Sequence, residues 1–199
     1  DILDTPYGAK LLEPPYRHHY FDGALMHIFN PDTKENGGIF SQSQGWLILA
    51  EALLGHGNAA FRYFTESSPA AMNDKAEIRV MEPYGQFTES SASPYAGRAH
   101  VHWLTGTAST VMVGCVEGIC GMRPDADGLA IRPSIPAEWD GMKMHKVFRG
   151  KQLNIIVQNP NHVESGVCAL TLNGEALQGD YVPAEKLQDT NEIVVTLGK

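Results

Sequence analysis

Residues of types that bind sugars and anions are concentrated in three glycine-containing segments, residues 34–38, 82–86 and 102–107. In the first, Lys34 stands beside Glu35, and a neighbouring donor and acceptor suit the vicinal hydroxyls of a sugar. The same pair also fits a solvated surface ion pair. Gly37 and Gly38 follow, and they allow either close approach of a ligand or a plain turn. The segment is therefore a candidate sugar site.

The third segment has the composition of an anion site. Thr105, Gly106 and Thr107 stand where a helix is predicted to begin, and the first backbone N–H groups of a helix have no partners within it. Those amides, the helix dipole and the threonine hydroxyls together favour a bound anion. The alternative is that Thr105 or Thr107 only caps the helix.

Aromatic, histidine and cysteine side chains add further candidates. Trp103 and Tyr84 could stack on sugar rings, whereas Trp46 lies in an apolar helical pattern and is predicted to be core. The histidines do not show metal-ligand spacing, so no metal site is predicted. The three cysteines are expected to be buried, reduced thiols of a cytoplasmic protein: Cys115, Cys120 and Cys168.

The composition of the 199 residues, 43% hydrophobic and 19% charged, is that of a globular protein. The formal net charge of -8 argues against a nucleic-acid partner. No apolar run approaches the ~20 residues that span a bilayer, so no membrane partner is predicted. Because the sequence starts at Asp1 and already reads as structured, we expect it to be a piece of a longer protein.

Helical patterns dominate up to about Met122. Helices are predicted over residues 44–54, 58–65 with Asn58 as N-cap, and 107–119. Because residues 44–54 are apolar around most of the circumference, that helix must be buried between other elements. Three helices cannot close a core around such faces, so they are expected to belong to a larger helical assembly.

Short alternating strands follow Met122. They are predicted at residues 130–132, 143–148, 153–158, 167–172 and 193–197. Asn173-Gly174 is a strong hairpin signal between residues 169–172 and residues 175–177. Short strands at a spacing of about ten residues favour a β-sandwich.

Several motifs, in order along nearly the whole chain, resemble the inverting phosphorylases of glycoside hydrolase family 94. They are KENGGIF from Lys34, GWLILAEALLGHG from Gly45, EPY from Glu82, WLTGTAS from Trp103, RPDADGLAIRPSIPAEWDG from Arg123 and KVFRG from Lys146. The resemblance implies an α+β multidomain fragment. Residues 1–122 would be the C-terminal part of an (α/α)6 catalytic barrel, and residues 123–199 a jelly-roll-like β-sandwich.

The family cleaves a β-glycosidic bond with inorganic phosphate and releases an α-sugar 1-phosphate, which makes it a hexosyltransferase-type phosphorylase. An Asp acts as general acid while phosphate attacks the opposite face of the anomeric carbon, in place of the water of an inverting hydrolase. That Asp is expected upstream, because no position of this chain matches it. The resemblance implies no cofactor and no metal; phosphate is a co-substrate.

The resemblance also assigns roles to individual residues. Lys34 and Glu35 match residues that bind the acceptor sugar, and Gln86 matches a glutamine near acceptor and phosphate. Thr105 and Gly106 match phosphate-binding residues. Gln42 stands where the family often has a phosphate-binding His, and a neutral amide cannot supply its positive charge.

The expected partners are a β-linked disaccharide or oligosaccharide, phosphate, the upstream part of the same enzyme and a second copy in a homodimer. Cellobiose, cellobionic acid, chitobiose, laminaribiose and β-1,2-glucans all remain open as substrates. Two other functions also remain open: a non-catalytic sugar-binding or structural unit, and a phosphorylase-like domain of a larger β-glucan-processing enzyme.

Overall fold

The computed structural model of the protein describes residues 2–18, 28–75, 86–88, 95–102 and 106–198. The chain forms two compact units. Unit 1 comprises Asp1–Leu47 and Arg62–Met112, and unit 2 comprises Ile48–Phe61 and Val113–Lys199. This division differs from the predicted boundary at residues 122 and 123, which stays a prediction.

Unit 1 contains two small antiparallel sheets and parts of the helices. One sheet is the hairpin of β1 (Asp4–Thr5) and β2 (Gly8–Ala9). The other has the order β3-β4-β5, with both pairs antiparallel. Its strands are β3 (Ile39–Phe40), β4 (Gln86–Thr88) and β5 (Ala99–His102).

The main helical segments lie between β3 and β6 along the chain. They are α1 (Ser41–Leu53), α2 (Gly57–Ser67), a 3₁₀ segment (Ala70–Lys75) and α3 (Thr107–Val113), which continues as a π-helical segment (Gly114–Ile119). The first part of α1 and the last part of α2 belong to unit 1, and the remainder of both belongs to unit 2. Helix α1 follows β3 without a linking residue, so the sheet fixes the start of the helix.

The described part of unit 2 has two further sheets. A five-stranded sheet has the order β11-β10-β13-β9-β8, and a three-stranded sheet has the order β12-β7-β6. The strands are β6 (Met122–Pro124), β7 (Gly128–Ile131), β8 (Gly141–Phe148), β9 (Lys151–Gln158), β10 (Val167–Leu172), β11 (Glu175–Leu177), β12 (Tyr181–Pro183) and β13 (Thr190–Leu197). Burial alternates along β9 and β13, as expected when one face of a sheet covers a core.

The predicted strands after Met122 are confirmed as elements; β8, β9 and β13 begin earlier than predicted, and the strand predicted at residues 130–132 is β7 at Gly128–Ile131. The Asn173-Gly174 hairpin is confirmed as well: β10 and β11 pair antiparallel, and the two turn residues have φ of 51° and 85°. Positive φ at both positions is the requirement of a type I′ turn. The parallel pairing of β13 with β9 was not predicted, since hairpin signals report only on neighbouring strands. These features agree with a β-sandwich; the jelly-roll topology stays a prediction.

The predicted helices are present, with two corrections. Residues 107–119 are not uniformly α-helical, because Gly114–Ile119 is a π-helical segment. Asn58 is not the N-cap of α2, which begins at Gly57. Instead, the side-chain oxygen of Asn58 accepts a hydrogen bond from Ala137 N at 3.0 Å, which ties the start of α2 to a loop of unit 2. Glycine is needed at 57 because a Cβ there would lie 2.1 Å from the Ile135 carbonyl oxygen.

Two burial predictions are wrong. Trp46 is 61% exposed, although the pattern of α1 predicted a core position. A helix that is apolar all round needs neighbours on every side, and the described residues leave the Trp46 side of α1 uncovered. Cys168 is exposed on β10, whereas Cys115 and Cys120 are half-buried; all three are free thiols.

No helix in the described ranges combines the length and the apolar composition that a bilayer crossing requires. The described part of the chain also contains no group of three or more His, Cys, Asp or Glu residues arranged to hold a metal ion.

Candidate functional site

The loop before β3 is the KENGG segment, and its shape depends on unusual backbone angles. Asp32 and Lys34 have φ of 66° and 46°, and Gly37 has φ of 97°. Gly38 N donates to the Lys34 carbonyl oxygen at 2.9 Å, and a Cβ on Gly38 would lie 2.6 Å from that oxygen. Real side chains do not tolerate such a contact, so the second glycine of the motif is required by the turn itself.

Asn36 holds this loop from inside. It is fully buried, and its side-chain oxygen accepts from Tyr16 N at 2.7 Å. Its amide nitrogen donates to the carbonyl oxygens of Tyr16 at 2.8 Å and Phe29 at 2.9 Å. The buried side chain thereby pairs with three part-buried backbone groups from two segments, and losing any of these hydrogen bonds would be costly. Asn36 is a structural residue that places Lys34 and Glu35.

A buried ion cluster supports the same loop. Lys10 is 7% exposed, its Nζ lies against the Glu13 carboxylate, and it lies 3.5 Å from Asp32 Oδ1. Leu11 N, next to Lys10, donates to the Gly38 carbonyl oxygen at 3.0 Å. A buried ammonium needs such carboxylate partners, because an isolated buried charge is strongly unfavourable. The segment after β2 is thereby fastened to the loop.

Lys34 and Glu35 remain accessible at the surface of the loop. Lys34 is half-buried, with Nζ 5.0 Å from the centre of the Phe29 ring, and Glu35 is exposed. An aromatic face near an ammonium stabilises the charge without consuming its hydrogen-bond donors. Both side chains are therefore accessible to a polar ligand; their role in binding a sugar stays a prediction.

Strand topology brings the other predicted residues to one edge of the sheet. Because β3 and β5 are both antiparallel to β4, they run in the same direction and end at the same edge. Gln42 follows the end of β3, and Gly106 lies just beyond the end of β5. Gln86 begins β4 at this edge, opposite His102.

Gln42 and Gly106 are neighbours in space. A Cβ placed on Gly106 would lie 3.5 Å from Nε2 of Gln42 and 3.4 Å from the hydroxyl of Ser109. Gly106 precedes α3, and its carbonyl oxygen accepts from Thr110 N at 3.0 Å and from Ser109 Oγ at 2.8 Å. The Gln42 side-chain amide therefore lies beside the start of α3, and side-chain and helix-start N–H groups are the kind of donors that bind an anion.

The close crossing of α1 and α3 produces this meeting. At Gly45 a Cβ would lie only 2.4 Å from the carbonyl carbon of Thr110, so the two backbones touch there. Thr110 Oγ1 also donates to the Gln42 carbonyl oxygen at 3.0 Å. A glycine in mid-helix costs about 1 kcal/mol, and here it permits the contact that sets Gln42 beside Gly106.

Gln44 fixes the start of α1 against β2. It is 1% exposed; its amide nitrogen donates to Ala9 O and Phe40 O, both at 3.0 Å. Its side-chain oxygen accepts from Ala9 N at 2.8 Å. Sequence patterns did not single out Gln44, Asn36 or Lys10. A polar residue inside an apolar run is a detectable signal for Gln44, whereas the partners of the other two are fixed only by the fold.

The structure therefore separates the predicted residues into three groups. Gln42 and Gly106 come together, Gln86 reaches the same sheet edge through its backbone, and Lys34 with Glu35 occupy the loop at the other end of β3. Within the described residues, no hydrogen bond or ion pair joins that loop to Gln42 or Gly106. Thr105, Trp103 and Tyr84 lie outside the described residues.

Two family models match the chain. The model of the glycosyl hydrolase 94 superfamily catalytic domain covers residues 1–121, and that of the glycosyl hydrolase family 65 C-terminal domain covers residues 122–173. The chain belongs to the glycosyl hydrolase 94 superfamily, as its motifs predicted.

Curated relatives match over most of the chain. N,N'-diacetylchitobiose phosphorylase of Vibrio proteolyticus is 36% identical over 98% of this chain. Solabiose phosphorylase of Paenibacillus borealis is 32% identical over 91%, and cellobionic acid phosphorylase of Neurospora crassa is 28% identical over 80%. The chain spans 25%, 24% and 21% of the lengths of these relatives.

Proposed function

We propose that the chain is the C-terminal part of an inverting glycoside phosphorylase. The parent enzyme cleaves a β-linked disaccharide or oligosaccharide with inorganic phosphate and releases an α-sugar 1-phosphate. The observation that carries the proposal is the meeting of Gln42 and Gly106 at a helix start, in a chain whose relatives are named as phosphorylases. No cofactor takes part, and phosphate is a co-substrate.

The chemistry assigns separate tasks to the two ends of β3. At the sheet edge, the amides of α3 and the Gln42 amide hold phosphate for attack on the anomeric carbon. The C–O bond to the leaving sugar breaks, and an Asp from the upstream part of the parent gives its proton to the leaving oxygen. In the loop, Lys34 and Glu35 bind the hydroxyls of that leaving sugar. Positioning of two reactants in this way removes much of the entropic barrier.

The architecture follows from the same proposal. Residues 1–122 complete an (α/α)6 barrel with upstream helices, and residues 123–199 form the β-sandwich that follows it. The exposed apolar side chains of α1 and α3 support this proposal, because such faces are buried in a complete helical assembly: Trp46 is 61% and Met112 is 65% exposed.

The deciding measurement is phosphate-dependent release of sugar 1-phosphate by the full-length parent and its Gly106→Ala variant. The added methyl group finds only ordinary contacts at 3.4–3.5 Å, so the fold is expected to persist. It narrows the anion site, however, and kcat/KM for phosphate is expected to fall by about tenfold or more.

Gly174→Ala serves as a control outside the site: its Cβ would meet nothing within 4 Å, and the strain of an alanine at a φ of 85° is confined to the turn between β10 and β11. Its phosphate kinetics should match those of the wild type. Equal kinetics in Gly106→Ala and wild type would refute the site assignment. Sugar binding without phosphorolysis by the wild-type parent would instead favour a non-catalytic sugar-binding unit.

A further inference from the structure

Unit 2 contains an open cavity of about 260 Å³ near the C-terminal end of α1. Its lining includes the apolar residues Leu54, Pro133 and Val167 and the charged residues Arg123, Arg132 and Asp180. A cavity lined by apolar residues and a few polar groups is the general form of a small-molecule site.

The two arginines differ in how many of their N–H groups already have partners. Arg132 forms a two-pronged ion pair with Asp180, with Nε–Oδ2 at 2.6 Å and Nη2–Oδ1 at 3.1 Å. Arg123 donates through Nε to the Glu117 carbonyl oxygen at 2.9 Å. Its two terminal nitrogens have no hydrogen-bond partner among the residues that the structure describes. One guanidinium edge is therefore available to a ligand.

The electrostatic environment of Arg123 points the same way. Burial lowers the pKa of Arg123, and the nearby positive charge of Arg132 lowers it further. Asp180 is shared between the two cations and is already engaged by Arg132. The carboxylates of Asp180 and Glu117 oppose this effect, but the two guanidinium groups still repel each other, and an added anion would relieve that repulsion.

We infer that this cavity binds a small phosphate-bearing molecule, with Arg123 and Arg132 holding the phosphoryl group. Arginine presents paired N–H donors that match phosphate oxygens, which makes two arginines lining one cavity a suitable receptor. The cavity volume of about 260 Å³ is several times the roughly 30 Å³ that one water occupies in the liquid. A phosphate group, with five heavy atoms, therefore leaves room beside it. The apolar lining at Leu54 and Val167 is then available to the organic part of a phosphate ester.

This second anion site goes beyond the proposed function and does not depend on it. The cavity is built from residues of unit 2, whereas Gln42 and Gly106 belong to unit 1. The hydroxyl of Ser165, which also lines the cavity, has no hydrogen-bond partner among the described residues and supplies a further donor.

Calorimetric titration of the full-length parent with glucose 6-phosphate, and separately with inorganic phosphate, tests the inference. Glucose 6-phosphate is chosen because its phosphate is not at the anomeric carbon, so it is not a product of the proposed reaction. Arg123→Gln is expected to weaken its binding by about ten- to a hundredfold, the value of one charged hydrogen-bonded contact. Phosphorolysis is expected to continue in this variant.

A second variant has the opposite expected effect. Asp180→Asn removes the carboxylate that competes for Arg132, so binding of glucose 6-phosphate should tighten by several-fold. Loss of folding cannot imitate a gain of affinity. Arg149→Gln is the matched control, because Arg149 lies outside the cavity and donates to backbone oxygens of Asp125 and Ala126; its binding should equal that of the wild type.

Binding of both probes would show that the phosphoryl group is recognised, and binding of the ester alone would show that its organic part contributes as well. Absence of glucose 6-phosphate binding at millimolar concentration, or unchanged affinity in both Arg123→Gln and Asp180→Asn, would overturn the inference. Absence of phosphorolysis in the wild-type parent would instead overturn only the proposed function.

Discussion

At the scale of single residues, the KENGG loop combines accessible ligand-binding candidates with a buried support. Lys34 is half-buried and Glu35 is exposed, while Asn36, which follows them, is fully buried. The two candidate residues are therefore held in place by the residue directly following them. The shape of the loop thus depends on a side chain that is not itself a binding candidate.

Replacement of Asn36 by Ala should destabilise the protein by about 2–4 kcal/mol, because buried backbone groups of Tyr16 and Phe29 lose their partners. In the parent, the acceptor KM should also rise, since the loop is no longer held. Urea denaturation and acceptor kinetics measure the two effects. Asn30→Ala is the control, because the Asn30 side chain is exposed in the same loop. Equal free energies of unfolding for Asn36→Ala and Asn30→Ala would show that the Asn36 side chain does not stabilise the loop.

The cysteines offer a test of burial at the same scale. Burial raises the pKa of the Cys115 thiol to about 11, and it raises the pKa of Cys120 as well. Cys168 is exposed on β10. A raised pKa leaves less thiolate at any pH below it, and the thiolate is the reactive form.

With iodoacetamide at pH 8, we expect Cys168 to be alkylated first and Cys115 last, as followed by mass spectrometry of peptides. Raising the pH toward 11 should speed the reaction at Cys115, because more of its thiol ionises. Denaturation in urea should remove the difference in alkylation rate between Cys115 and Cys168. Equal rates in the native protein at pH 8 would show that Cys115 is not protected.

At the scale of elements, the contact of α1 with α3 is the main determinant of the candidate phosphate site. The helices touch backbone to backbone at Gly45 and Thr110, and the Thr110 hydroxyl bonds to Gln42. Strand order adds the second constraint, since β3 and β5 end at the same edge. Together, these elements bring together two residues 64 positions apart in the chain, Gln42 and Gly106.

Gly45→Ala should separate these helices, because the new Cβ would lie 2.4 Å from the Thr110 carbonyl carbon. We expect a loss of about 1–3 kcal/mol in the free energy of unfolding and a higher KM for phosphate in the parent. The same substitution at Gly174 meets no atom within 4 Å but places alanine at a φ of 85°, so it measures the cost of backbone strain without a steric contact. A phosphate KM unchanged by Gly45→Ala would show that the contact of α1 with α3 does not determine phosphate binding.

At the scale of the whole molecule, exposed apolar side chains mark faces that this chain leaves uncovered. Trp46, Leu53 and Met112 are 61%, 56% and 65% exposed. Single exposed apolar residues are common, but here they lie on helices whose opposite faces are already packed. Under the proposed architecture, upstream helices of the parent cover them.

Trp46→Ala should therefore act differently in the short chain and in the parent. In the 199-residue chain, the loss of stability should stay below about 1 kcal/mol, since the side chain is mostly in solvent. In the parent it should reach about 3 kcal/mol, the usual cost of removing a buried Trp. Thermal unfolding of both forms, with Leu54→Ala as a second exposed site in unit 2, measures the difference. A small effect in both forms would argue against the barrel.

Local patterns in the sequence were sufficient for the features that depend on near neighbours. The Asn173-Gly174 turn, the strands around it and the helix after β3 follow from turn chemistry and periodicity. The family was recognisable too, because its motifs are short and contiguous. The exposure of Trp46 could not be predicted in this way, because a helical pattern reports which residues are apolar and not which neighbours are present to cover them.

The sequence by itself determined the family, the types of element and the identity of the candidate binding residues. Only the tertiary structure decided which of those residues meet: Gln42 with Gly106 through a glycine contact, and Arg123 with Arg132 around one cavity. The physical reason is that a binding site is a set of distances between remote segments. Those distances depend on strand order and helix crossing, which no local pattern encodes.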